Sequence, residues 1–182
     1  HLFGTEQSGH IADVGLELYL DMLEGAVRRL EGQEDTDERE PEISFSSPAF
    51  IPDTYIENEA ERLLFYKRLS SAASLEEAGG IVNELVDRFG DVPAPAAGLI
   101  GVIELRIIMR KLGVEKADIT GKRAVIQFAQ RSRFYASYPP EGKLELYFET
   151  ENPIEETRAA LDALGGERKA ADGAGKRSVK RR

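Results

Sequence analysis

Ser74-Leu75-Glu76-Glu77-Ala78-Gly79-Gly80-Ile81-Val82-Asn83-Glu84-Leu85-Val86-Asp87-Arg88-Phe89-Gly90 is the stretch from which the rest of the chain can be read. It predicts one amphipathic helix with both ends marked. Ser74 followed three residues later by Glu77 is a capping box, which satisfies backbone donors at the start. Gly90, directly after Phe89, suits the left-handed position that stops a helix. Leu75, Ala78, Val82, Leu85 and Phe89 fall on one stripe at about 100° per residue, flanked by Ile81 and Val86. Glu84 and Asp87 are neighbours on the opposite, solvent side. Gly80 lies one turn earlier and keeps that face low. The Gly79-Gly80 pair costs roughly 1 kcal/mol per residue against Ala, so helix continuity is weakest there. Spacing leaves the acid pair two readings: a solvated charged face, or an acidic docking surface for a basic partner.

Outward from that helix, the pattern predicts an α+β domain. A helix precedes it, from about Ile56 to Ala72, with Ile56, Ala60, Leu63, Leu64 and Leu69 inward. Asp91-Val92-Pro93 starts the next, since Pro is tolerated in a first turn. Ala96, Leu99, Ile100, Ile103, Ile107 and Ile108 form its buried side, and Gly113 stops it. Ile43-Ser44-Phe45-Ser46 alternates as a short strand between Pro41 and Pro48, followed by an extended connector anchored by Phe50 and Ile51. Further strands are expected over 114–119, 123–128 and 143–149, the first two joined by a Thr120-Gly121-Lys122 hairpin turn. Residues 131–142 read as a loop, 154–164 as a last helix, and Gly165-Gly166 as its end. The sum is about four helices on a small, mostly antiparallel sheet over 43–166.

The ends differ from this body. Residues 1–10 are a polar, glycine-punctuated loop, and 11–30 a long helix with more apolar width than one neighbour buries. Residues 31–42 carry seven acids against Arg39 alone, a flexible acidic linker. Residues 167–182 hold seven Lys/Arg and two acids, a basic tail expected to be disordered. The whole chain has 24 basic and 33 acidic residues, a net charge of −9, so with +5 in the tail the remainder carries −14. That balance argues against a general nucleic-acid binder. The absence of cysteine excludes disulfides and thiolate metal sites and fits a reducing cytosol. No apolar run reaches the roughly 18 residues of a membrane span, and no signal peptide is visible. A chain opening with His1-Leu2-Phe3 is expected to begin inside a longer protein.

Catalytic patterns are wanting. Gly175-Lys176-Arg177 and Gly121-Lys122-Arg123 lack the hydroxyl and the earlier glycine of a phosphate-binding loop. His1 and His10 are the only imidazoles, which excludes a histidine triad or zinc site on the body. No carboxylate pair shares a patterned apolar pocket that would raise a pKa. Gln130 to Tyr138 mixes cations with aromatics and is the best nucleic-acid candidate, against the simpler reading that its rings pack on the sheet.

Several stretches then come together. Gly4-Thr5-Glu6-Gln7-Ser8-Gly9-His10 with Val14 to Glu24 resembles the end of the translocation motif and following helix of bacterial transcription-repair coupling factors. Phe65 to Ala72, Glu84-Leu85-Val86-Asp87-Arg88-Phe89-Gly90 and Arg110-Lys111-Leu112-Gly113-Val114 resemble the C-terminal domain of that family, in order, over roughly residues 2–128. The resemblance implies a whole protein that displaces RNA polymerase stalled at DNA lesions with an ATP- and magnesium-dependent double-stranded DNA translocase, and recruits UvrA for excision repair in the cytoplasm. It implies that this C-terminal domain is a regulatory clamp on the UvrA-binding module of the same protein. In the family's Glu-Leu-Ile-Asp-Arg-Phe-Gly motif the acids face that module. Carried over, the partner-binding residues are Glu84, Asp87 and Arg88, with Val86 in place of Ile. Gln7 matches the Gln that couples hydrolysis to movement. The upstream Arg and the ATP-binding motifs are not in this chain, so no catalytic residue, metal site or cofactor is expected in it. The alternative is an acidic-faced module docking on RNA polymerase or another repair partner without autoinhibition.

Overall fold

The computed structural model describes residues 40–149 and 152–171. Among the described residues, four strands and four α-helices follow in the order β1 (Glu42–Phe45), α1 (Glu59–Ser70), α2 (Leu75–Phe89), α3 (Ala94–Leu112), β2 (Val114–Thr120), β3 (Arg123–Phe128), β4 (Lys143–Tyr147) and α4 (Pro153–Ala171). The strands form one sheet in the order β1-β2-β3-β4, with β1 parallel to β2 and the other pairs antiparallel. The three helices between β1 and β2 supply the crossover that a parallel pair needs. This is the expected α+β fold with a mostly antiparallel sheet.

The register sorts side chains by face. Ile43, Ala117, Ile126 and Leu144 stand in one row across all four strands, and Phe45, Ile119, Ala124 and Leu146 in another. These rows face the helices. Ser44, Asp118, Val125 and Glu145 form the row between them on the other face, and Glu42, Lys116, Gln127 and Lys143 a polar row on that same face beyond the Ile43 row. Val114 and Ala117 are both buried although three residues apart, because a bulge at Glu115 shifts the period of two. Gly121, at φ +57°, takes the first central position of the predicted β2–β3 hairpin turn.

The capping box of α2 forms as read. Glu77 N–H donates to Ser74 Oγ at 3.1 Å, and Glu77 Oε2 accepts from the N–H of Ala73 at 2.9 Å. Gly90 has φ +83°, and its N–H donates to Val86 O. The helix runs unbroken through Gly79-Gly80. Its deepest residues are Ala78, Ile81 and Leu85, so Ile81 takes the place expected of Val82, and Val86 is exposed. At the end of α3, Gly113 adopts φ +67° and ψ 40°, the left-handed stop. Ile100, expected inward on α3, is half-buried.

Three boundaries differ from expectation. Helix α1 starts at Glu59 because Asn58 caps it, accepting from the N–H of Glu61 at 3.0 Å, and Ile56 is buried in the turn before it. Its inward side is Phe65, Tyr66 and Leu69, while Ala60 and Leu64 are exposed. Tyr66 fixes this phase, since its hydroxyl accepts from the N–H of Ile51 at 2.7 Å. Strand β4 stops at Tyr147 rather than Glu149. Helix α4 does not stop at Gly165-Gly166 but continues to Ala171, into the segment expected to be disordered. A Cβ on Gly165 would come within 3.3 Å of Leu112 Cδ2, so that glycine permits close packing of α4 on α3. The expected loop and helix of 1–30, the linker up to residue 39 and the tail from 172 lie outside the described residues.

Candidate docking face on α1 and α2

Helix α2 packs its stripe inward against α1 and α3 and turns Glu84, Asp87 and Arg88 outward. The α1 face beside it presents Glu61 and Arg68, two helical turns apart. Arg68 Nη2 donates to Glu84 Oε2 at 2.6 Å. Arg88 Nη1 donates to Glu84 Oε1 at 3.3 Å, and Arg88 Nη2 donates to Glu61. The result is a ladder, Glu61–Arg88–Glu84–Arg68, that stitches the two helices along their outer seam.

Aromatic rings support the ladder from below. The guanidinium carbons of Arg68 and Arg88 lie 5.3 and 5.5 Å from the Phe65 ring centre, and that of Arg88 lies 5.0 Å from Phe89. Phe65 and Phe89 meet edge to face at 5.8 Å. Tyr55 leans on Phe89 and donates its hydroxyl to Gly90 O at 2.9 Å, which pins the end of α2. Cations over ring faces gain from the ring quadrupole, so both arginines are held in place.

The hydrogen bond from Arg68, with that from Arg88 behind it, lowers the pKa of the Glu84 carboxyl below its usual value and keeps it charged. Arg68 and Glu84 are each 36 % exposed, so solvent screens the pair and its contribution to stability is modest. Glu84 is therefore not the bare solvent-side acid that its spacing suggested. Asp87, exposed one turn on, is the acid of the pair presented outward. Arg88 lies beside both on the same face. Gln7 falls outside the described residues.

Spacing within α2 could not reveal Arg68 and Glu61, because they reach it from another helix. Glu61 and Arg68 share one face of α1 and are opposite in sign to the Arg88 and Glu84 that they meet on α2, which is the signal that was available. Along the same seam Leu64 is 50 % exposed.

Other candidates resolve differently. Phe134 and Tyr138 pack with ring centres 5.5 Å from Phe128, and Arg133 lies over Phe134 at 4.7 Å. The rings of the 130–138 segment are therefore spent on the sheet rather than free for base stacking. Among the described residues no group of three or more His, Cys, Asp or Glu side chains could hold a metal ion, and no helix is long and apolar enough to cross a membrane.

Known proteins match this architecture. The TRCF domain family matches residues 45–137. The transcription-repair-coupling factor of Escherichia coli K12 is 38% identical over 136 residues, covering 72% of this chain and 12% of that protein. The Myxococcus xanthus factor is 37% identical over 126 residues, covering 69% of this chain and 10% of that protein. The chain thus spans about a tenth of the length of these relatives. In fold it is similar to the crystal structure of the C-terminal domain of transcription-repair coupling factor, at TM-score 0.54 and 20% identity, over 69% of this chain and 95% of that one. With the family's match covering just over half its length, this chain belongs to the TRCF-domain family of transcription-repair-coupling factors.

Proposed function

We propose that this chain is the regulatory C-terminal domain of a transcription-repair coupling factor. It docks through α2 on the UvrA-binding module of the same protein and so restrains UvrA recruitment and DNA translocation. The whole protein, on this reading, is a cytoplasmic ATP- and magnesium-dependent translocase on double-stranded DNA that displaces stalled RNA polymerase. The piece described here is its non-catalytic clamp. The observation that carries the proposal is the outward face of α2, where Asp87 stands exposed beside the Glu84–Arg88 pair on a rigid, ring-backed helix.

A charged face of this kind gives orientation and on-rate more than raw affinity. Docking within one polypeptide needs little affinity, because a linker such as the 31–42 segment holds the partners at high effective concentration. A competing partner can then displace the clamp. The presence of the ladder decides which substitution tests this cleanly. Glu84→Lys would set a third cation against Arg68 and Arg88, whereas Asp87→Lys reverses a charge without breaking an ion pair of the ladder. The isolated UvrA-binding module, titrated with this chain at low and high salt, is expected to bind in a salt-sensitive way. Asp87→Lys is expected to weaken that binding about tenfold with an unchanged melting temperature, each tenfold being about 1.4 kcal/mol. Binding that ignored the reversal would move the interface to another face.

A further inference from the structure

Next to the ladder, the seam between α1 and α2 widens into a groove of about 480 Å3. Leu64, Lys67 and Arg68 line its α1 side, and Glu77, Gly80 and Ile81 its α2 side. Two features of this groove have no use within the domain. Leu64 is 50 % exposed although the next two residues, Phe65 and Tyr66, are buried. Gly80 lies inside a helix with ordinary helical backbone, and a Cβ there would meet nothing within 4 Å. Neither a turn nor a close contact calls for glycine at that position, and it weakens the helix relative to Ala by roughly 1 kcal/mol.

A side chain from outside, seated between Leu64 and Gly80, accounts for both. The charges around the groove say what carries it. Glu77, Glu84 and Asp87 run along α2 at intervals of seven and three residues, all on its outer side, roughly 15 Å at 1.5 Å per residue. Arg68 is already answered by Glu84. Glu77 gives one oxygen to the Ala73 N–H in the cap and meets no cation among the described residues, and Asp87 is exposed. The charge along α2 without a cation is thus acidic, with Lys67 opposite it on the α1 wall, and the chain outside its tail is acidic as well. We infer that the α1–α2 groove receives an apolar side chain from a basic amphipathic helix of the docking partner, whose Lys or Arg residues reach Glu77 and Asp87 in the same event. This is the helix-in-groove mode, with an apolar anchor giving affinity and flanking charge giving register. The inference rests on the docking reading above and adds to it the apolar half of the interface.

Gly80→Leu fills the groove without changing a charge, at a position where the helix has room. Leu64→Ser removes the apolar wall. Both are compared with Asp87→Lys in a titration of the isolated UvrA-binding module carried to millimolar concentration, with circular dichroism melts of each variant. The groove predicts that Gly80→Leu and Leu64→Ser each weaken binding about tenfold, while Gly80→Leu melts no lower than the parent. If both bind like the parent and only Asp87→Lys fails, the groove is overturned and the acidic face stands. If Gly80→Leu loses binding and Asp87→Lys does not, the acidic face is overturned and the groove stands. Absence of binding by the unsubstituted chain overturns both.

Discussion

Helices α2 and α3 lie against each other and follow opposite rules. From Leu105 to Met109, α3 buries five residues in succession, Arg106 among them, far more than the stripe of an ordinary surface helix. It touches α1, α2, α4 and the sheet, and it is the hub of the core. Helix α2 buries only Ala78, Ile81 and Leu85 and leaves its outer side to charge. Substitution on α3 therefore meets packing whichever way a side chain points. On α2 the outward Glu84 and Arg88 are tied to α1 only by a solvent-screened ladder, and Asp87 beside them is left open to recognition. The sequence is easiest to read along α2, yet α3 does more to hold the fold together.

The sharpest way to break this contrast is to truncate leucines in the two settings. Leu105 on α3 is fully buried, and Leu64 on the α1–α2 seam is half exposed. Leu105→Ala is expected to cost about 2–5 kcal/mol, from lost transfer energy and the cavity left behind. Leu64→Ala is expected to stay within about 0.5 kcal/mol. Denaturant midpoints measure both, and similar losses would mean that the seam is part of the core.

Backbone glycines give the next contrast, smaller and opposite in sign. In α3, a Cβ on Gly98 would lie 2.4 Å from Pro48 O, where the chain leading out of β1 crosses the helix. The N–H of Phe50 donates to Pro95 O at 3.1 Å in the same crossing, so that carbonyl has little freedom to retreat. Gly98→Ala should destabilise by about 1–3 kcal/mol through overpacking. In α2, a Cβ on Gly79 meets nothing within 4 Å, and Gly79→Ala should stabilise by about 0.5–1 kcal/mol. Thermal melts of the two alanine variants should move in opposite directions. A stabilising Gly98→Ala would mean that the crossing is looser than it looks.

These sites also mark how far the sequence could be read. The caps of α2, the stop at Gly113 and the hairpin at Gly121 were legible because each depends on residues within a few positions. The alternation in β1 and β4 was legible because a sheet with one buried face imposes a period of two. The phase of α1 was not, since Leu63-Leu64-Phe65-Tyr66 is apolar in every direction and tertiary contacts choose among them, the Tyr66–Ile51 hydrogen bond and the Phe65–Phe89 ring contact. Gly165-Gly166 misled because glycine at a helix end and glycine at a helix crossing look alike in sequence. For the docking face, spacing found Glu84 and Asp87 as neighbours. It could not show that Arg68 from α1 occupies one of them.

Two glutamates carry the comparison into titration, with the smallest effect. Glu84 on α2 has its pKa lowered, first by the hydrogen bond from Arg68. Glu104 on α3 has its pKa raised, because burial outweighs the attraction of Arg158 at 3.4 Å. The stability tied to Glu84 is present above the ordinary glutamate value and is lost as pH falls through its lowered folded value. The stability tied to Glu104 has the opposite sense. It is full below the ordinary value, where the group is protonated in both states, and is lost as pH rises through the raised folded value. Glutamine mimics the protonated form of each. Relative to the parent, Glu84→Gln should therefore lose melting temperature between acid and neutral pH, and Glu104→Gln should gain it. The Glu84 change should be slight, because its partner and its own carboxylate are open to solvent screening. A difference curve of the same sign for both variants would mean that Arg158, rather than burial, governs Glu104, and that α3 tolerates a charge on the same terms as α2.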